Sequence, residues 1–158
     1  MKKLLLFLVC GLTVSCSSID CPVQNIVSVQ YSIRNGSDEE MAITDSLTIT
    51  SQRKDGADVI LNRLIGLNAF SLPISYSHPE DVLQFTFVND SVTVTDTVWI
   101  KKDDIPHFES VDCSAAFFHR LTGVRYTKKG IDSLVIKNTN VDYEVTTIHF
   151  YLYPKSGS

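Results

Sequence analysis

Positive charge is scarce in this sequence and nowhere concentrated. Its 14 lysines and arginines are outnumbered by 18 acids, the formal net charge is −4, and no basic cluster exceeds a pair. Phosphate backbones are held by concentrated positive charge, so nucleic acid is a poor partner, and the protein surface gives no support for binding an anionic bilayer. Motifs of nucleotide and acyl-transfer chemistry are missing as well. There is no G-x-S-x-G elbow, no Walker A loop and no dinucleotide fingerprint. Past residue 14 no apolar stretch approaches the 18 residues that would mark a transmembrane helix. Neither an internal repeat nor a low-complexity segment is found.

What is present begins with the N-terminus. Lys2 and Lys3 form a positive start, and Leu4 to Val14 form an uncharged, mostly apolar run of 11 residues. That run is too short to span a bilayer and matches the apolar region of a secretory signal. Ser15, Cys16, Ser17 and Ser18 follow. A small residue directly before a cysteine resembles the lipobox of bacterial lipoproteins, in which cleavage leaves the cysteine as the acylated N-terminus. Thr13 stands where the lipobox usually has leucine, with Leu12 one place further back. A plain signal peptide is the alternative, and Cys10, preceded by bulky Val9, is the competing lipidation site. The chain therefore divides into residues 1–15 as signal peptide, 16–22 as lipidated N-terminus and short tether, and 23–158 as a single domain. Loss of Lys2 and Lys3 takes the net charge from −4 to −6. The expected location is the outer membrane of the cell envelope, on its periplasmic or outer face. A single acid, Asp20, among the first residues after Cys16 does not make a dense acidic signal for surface export.

Cys21 and Cys113 are the cysteines that remain once the signal is removed and Cys16 is alkylated. In an oxidising compartment such a pair becomes a disulfide, two buried free thiols being the alternative. A bridge closing a loop of this length stabilises by about 4–5 kcal/mol in the chain-entropy model.

The hydrophobic pattern has period two. Val27, Val29, Tyr31 and Ile33 alternate with Ser28, Gln30 and Ser32; Leu47 and Ile49 with Thr48 and Thr50; Leu83, Phe85 and Phe87 with Gln84 and Thr86. Val92, Val94, Val98 and Ile100 share a face opposite Thr93, Thr95 and Thr97, with Asp96 on the apolar face as an expected bulge or strand end. A last strand is expected over about Tyr143 to Tyr153. Asn35-Gly36, Asp55-Gly56 and Asn89-Asp90 read as turns, and Leu72 to Glu80, with Pro73 and Pro79, as a loop or crossing. Ser114 to Leu121 admits one helical turn but reads better as extended. Seven or eight such strands predict an all-β fold, an antiparallel β-sandwich of the immunoglobulin-like kind, with a small β-barrel as the alternative.

With the lipobox, the segments "CPVQN", "LNR", "LPISY", "PEDVLQF", "DTVWIKK", "PHFESVDCSAAFFH" and "GIDSLVI" resemble a group of small lipoproteins of Gram-negative Bacteroidota that carry a domain of unknown function. The resemblance covers nearly the whole mature chain. It implies an exported domain and carries no activity or functional residue with it.

Candidate chemistry is sparse. Cys113 with His119 and Asp112 could form a nucleophile, base and orienter, but a disulfide would consume the thiol. His107 and Glu109, with His119 or His149, offer metal-ligand types without compact spacing. Asp38, Glu39, Glu40, Asp103 and Asp104 lack the spaced oxygens of a calcium loop. No catalytic residue, metal site or cofactor is assigned. Phe117, Phe118, Tyr126, Tyr143, Tyr151 and Tyr153 crowd the C-terminal third, with Trp99 upstream. Tyr143, Tyr151, Tyr153 and His149 are the candidate ligand-binding residues, for a glycan or another small molecule. The expected function is a non-catalytic structural or protein-binding module, held to the membrane by its lipid and facing another envelope protein.

Overall fold

The computed structural model describes residues 26–53, 56–90 and 92–155. The signal segment, Cys16 and Cys21 lie outside the described residues. Within them the chain forms ten strands and no helix: β1 Ser28–Ile33, β2 Ser46–Arg53, β3 Gly56–Leu64, β4 Ala69–Pro73, β5 Glu80–Val88, β6 Thr93–His107, β7 Ala116–Tyr126, β8 Ile131–Ile136, β9 Asn140–Val141 and β10 Phe150–Pro154. They make a four-stranded sheet, β4-β1-β10-β8, and a six-stranded sheet, β3-β2-β5-β6-β7-β9. Every pairing is antiparallel except β1 with β10. The sheets keep separate edges and pack face to face, so the architecture is the expected sandwich and not a barrel. Connections cross repeatedly from sheet to sheet, as in sandwiches of the immunoglobulin-like kind.

The alternating residues point where their period places them. Val29, Tyr31 and Ile33 of β1, Leu47 and Ile49 of β2, Leu83, Phe85 and Phe87 of β5, Val98 and Ile100 of β6, and Phe150 and Leu152 of β10 are all buried between the sheets. Tyr31 is paired in register with Phe70 on one side and Phe150 on the other. The three rings stack at centroid distances of 4.6 and 4.9 Å, and Phe85 of the facing sheet tilts against Tyr31 at 6.2 Å. Such ring pairs add about 0.5–1.5 kcal/mol each beyond area burial.

β3 and β10 differ from the pattern reading. β3 is exposed on both faces along most of its length and therefore shows no alternation. It is an edge strand, and its register with β2 is broken twice, which blunts the edge against further pairing. β10 starts at Phe150, seven residues later than expected, because Tyr143 to His149 form the connection from β9. Ser114 to Leu121 is extended, as expected, and Ala116 to Leu121 form the first half of β7.

Asp96 corrects a further expectation. The β5–β6 register runs unbroken through Phe85↔Asp96, so no bulge or strand end occurs there. The side chain is fully buried and accepts four hydrogen bonds from the β7–β8 link. Oδ1 takes the Thr127 hydroxyl at 2.5 Å and the Lys129 amide at 2.8 Å; Oδ2 takes the Gly130 and Ile131 amides at 2.6 and 2.7 Å. Burial alone would raise the carboxyl's pKa, but the Thr127 hydroxyl and the three amides outweigh it and hold it below the usual aspartate range. Thr127 Oγ1 also accepts the Thr97 amide at 3.0 Å, so the link is tied to β6 through two adjacent residues. Gly130 lies under the ring of Phe87, where a Cβ would fall 2.7 Å from Phe87 Cδ2 and 2.8 Å from Val94 Cγ2.

Two stability changes follow, both read from urea unfolding. Asp96→Ala leaves three buried amides unpaired and is expected to cost about 3–5 kcal/mol, with Asp96→Asn close behind because it aims an NH₂ group at donors. Gly130→Ala is expected to cost about 1–3 kcal/mol through overpacking.

Candidate functional site

β6 and β7 continue past the rest of their sheet. β5 begins at Glu80, opposite Lys101, whereas β6 and β7 stay paired out to His107↔Ala116. The hairpin thus projects about six residues, roughly 20 Å at strand rise. Its base is charged on the inside. Along β6 the inward positions read Asp96, Val98, Ile100, Lys102 and Asp104, so two charges continue the apolar face. Opposite them β7 carries an extra residue, Thr122, between the pairs Lys101↔Gly123 and Lys102↔Leu121. This bulge resets the parity of β7 so that His119 and Leu121 turn inward.

The inward groups satisfy one another. The buried Lys102 ammonium donates to the His78 carbonyl and pairs with Asp104 Oδ1 at 3.3 Å. His119 Nδ1 meets the same oxygen at 2.7 Å, and because a carboxylate only accepts, this nitrogen carries the hydrogen. Asp81 Oδ2 accepts the Ser75 amide at 3.0 Å, and the Lys102 amide bonds the Pro79 carbonyl, so the loop from Ile74 to Pro79 is laced to the hairpin base. Burial pushes the Asp81 carboxyl upward more than the Ser75 amide, Lys102 and His119 pull it down. Burial also holds His119 below the ordinary histidine value, against the opposing pull of Asp104. Tyr31 Oη, buried with no hydrogen-bond partner among the described residues, is held above the tyrosine range by burial and by the charge of Asp81.

The four candidate ligand residues fall in three places. His149 is fully buried. Its Nδ1 accepts the Gln30 amide at 3.0 Å and its Nε2 donates to the Asn140 carbonyl at 3.0 Å, which joins β1 to β9 through a neutral ring. Tyr151 and Tyr153 lie on the outer face of the four-stranded sheet. Arg34 covers the Tyr151 ring at 4.0 Å with Lys137 at 5.5 Å, and the Tyr153 hydroxyl donates to Asp38 Oδ1 at 2.7 Å. Tyr143 stands apart on the projecting hairpin, edge-on to Phe118 at 5.0 Å, while His107 stacks on Phe118 at 4.2 Å and bonds Glu109 at 3.0 Å. Phe118, Asp142, Tyr143 and Glu144 line a shallow, open depression there. A second depression, formed by Trp99, Lys101, Gly123 and neighbours, has Arg125 lying over the Trp99 ring at 4.2 Å and bonded to Glu80 at 2.9 Å.

The other candidate sets are also dispersed. His119 is oriented by Asp104 rather than by Asp112, and Cys113 sits in the turn beyond the hairpin strands, its amide bonded to the Ser110 carbonyl. Among the described residues no group of three or more His, Cys, Asp or Glu converges as a metal site. Asp38, Glu39 and Glu40 bond Tyr153, Asn35 and Asn68. The buried Asp81–Lys102–Asp104–His119 cluster was not foreseen. Its signal was "KKDD" running on at the parity of Val98 and Ile100.

The two buried histidines make stability depend on pH with a definite sign. Burial lowers both below their ordinary 6.5, so below that pH the unfolded chain binds more protons than the native one. Stability is therefore complete above about pH 6.5 and is lost as the pH falls through that value toward the folded pKa values. His149→Phe is expected to cost about 2–4 kcal/mol by orphaning the Gln30 amide and the Asn140 carbonyl, and to remove the His149 part of the acid slope. Urea midpoints measured between pH 8 and pH 5, on the order of the histidine range, check both.

The family model that matches the chain covers residues 46–154, from β2 to β10. No curated protein and no solved structure matches it. A match over more than half of the sequence places the chain in a family: it belongs to the family of unknown function DUF6452.

Proposed function

We propose that the chain is an exported lipoprotein of the Bacteroidota type, residues 1–15 its signal peptide and 16–22 its lipidated tether. On this reading residues 23–158 form one domain, anchored to the outer membrane through Cys16 and stapled by Cys21–Cys113. It works as a non-catalytic binding or structural module of the cell envelope, and its partner is another envelope protein. The single observation that carries the non-catalytic reading is the use made of the polar groups. Asp81, Lys102, Asp104, His119 and His149 are buried or half-buried and bonded to one another or to backbone, where they hold strands in place. The staple is supported by topology. Val27, next to Ile26, accepts the Ile74 amide, at the end of the sandwich from which the hairpin carrying Cys113 projects. Cys21 lies five positions before Ile26, a reach of up to about 18 Å.

A second reading, a glycan or small-ligand binder at the cell surface, is favoured by the depression of Phe118, Tyr143, Asp142 and Glu144. It combines aromatic rings with carboxylates able to accept hydroxyl hydrogen bonds.

Fractionation of cells carrying the wild-type chain and Cys16→Ser checks the anchor. The wild type is expected in the membrane fraction with an acylated N-terminus by mass, and the variant in the soluble fraction; equal partition overturns the lipid reading. Thiol titration of the denatured, unreduced protein is expected to find no free Cys113. Protease shaving of intact cells then separates a surface-facing module from one inside the envelope.

A further inference from the structure

The described residues expose large apolar side chains at both ends of the sandwich, Ile65, Leu67, Val88 and Val92 at one and a larger group at the end from which the hairpin projects. Val111, at the turn of the projecting hairpin, is 98 % exposed and Phe108 beside it 65 %. Ile26, Tyr76, Tyr143 and Val145 are exposed at the same end, Ile26 being the first described residue of the chain. The strand register fixes this grouping. Ile26 precedes β1 where β1 meets Pro73, Tyr76 lies in the loop laced to Lys102, and Tyr143 and Val145 follow β9, which pairs with the His119–Arg120 segment of β7. Singly exposed apolar residues are ordinary, but a group at one tip needs an occupant.

The chain outside the described residues says which. Cys16 is ten residues before Ile26, a span of at most about 35 Å. The sandwich behind the hairpin, Thr93 to Lys101 of β6, is about 30 Å long, so reach alone admits both ends; the staple proposed above decides between them, because a bridge from Cys113 in the hairpin turn to Cys21 keeps Cys16 within about 18 Å of that turn. We infer that the projecting β6–β7 hairpin is a membrane-contacting tip: Phe108 and Val111 enter the headgroup region of the bilayer that holds the acyl chains of Cys16. This rests on the lipid-anchor reading above and adds to it an orientation and a second, protein-borne contact. A lipid alone leaves a domain free to tumble about its attachment; an apolar tip beside the point of attachment fixes which end faces the membrane. The flanking acids Glu109, Asp112 and Glu144 repel anionic headgroups, so the surface recognised is a zwitterionic one, such as phosphatidylethanolamine.

The test uses the full chain, exported and processed, reconstituted on phosphatidylethanolamine–phosphatidylcholine vesicles whose acyl chains are brominated near the headgroup. Tryptophan is placed at the tip as Val111→Trp and at the opposite end as Val92→Trp, with native Trp99 as common background. Val111→Trp emission is expected to shift blue and to be quenched about twofold or more beyond Val92→Trp, the excess falling as anionic lipid is added. Equal quenching in protein that is acylated by mass and floats with the vesicles overturns the tip contact alone. Protein that carries no acyl group and does not float overturns the anchor reading, and the tip contact with it.

Discussion

One buried carboxylate holds the two halves of the sandwich in a fixed relation. β6 is an inner strand of the six-stranded sheet, and the chain leaves that sheet for the other one between β7 and β8. Asp96 accepts three successive backbone amides of that crossing together with the Thr127 hydroxyl. A crossing segment exposes amides that no ladder partner can satisfy, and burying them unpaired would cost roughly 1–3 kcal/mol each. Asp96 converts that liability into registration: β8 reaches the four-stranded sheet at one position only, with Gly130 fitted beneath Phe87. The charge itself is tolerable because it has four donors, the condition under which a buried ion is retained.

The same device recurs at the other end of β6. Lys102, Asp104, His119 and Asp81 tie the loop from Ile74 to Pro79 to the hairpin base, and His149 bridges β1 and β9 through its two ring nitrogens. In each case a polar side chain on an inward face bonds backbone from a segment that changes sheet or leaves it. Apolar packing, centred on the Tyr31 stack, supplies non-directional attraction between the sheets; these polar contacts decide which loop lies where.

This division explains what could be read from sequence. Strands with one wet and one dry face announce themselves by alternation, and β1, β2 and β5 lie where Tyr31, Ile49 and Phe85 put them. Period two ends β6 at Ile100, because Lys102 and Asp104 look like solvent residues although their parity is unchanged. β3 was missed because both its faces are wet. His149 reads as an outward neighbour of Tyr151 by period two, but it precedes β10 and its ring turns in to meet Gln30 and Asn140. Asp96 was singled out by its parity, yet its partners are backbone amides more than 30 residues away, and amides leave no mark in a sequence.

The aromatic residues show the same limit from the other side. Composition places many rings in the C-terminal third, but position sorts them into separate employments. Phe150 is core; Tyr151 and Tyr153 are struts that hold the turn after β1 through Arg34 and Asp38; Phe118 and Tyr143 stiffen the projecting hairpin. The stiffening matters to how the hairpin is used. A pair of strands extending beyond its sheet is marginal alone, and here His107, Phe118 and Tyr143 brace it on one face while Tyr76 stacks on Phe117 at 5.2 Å. Pro106 on its outer strand removes one amide donor that another chain could pair with. An arm that is braced along its length and apolar at its turn is shaped to present that turn.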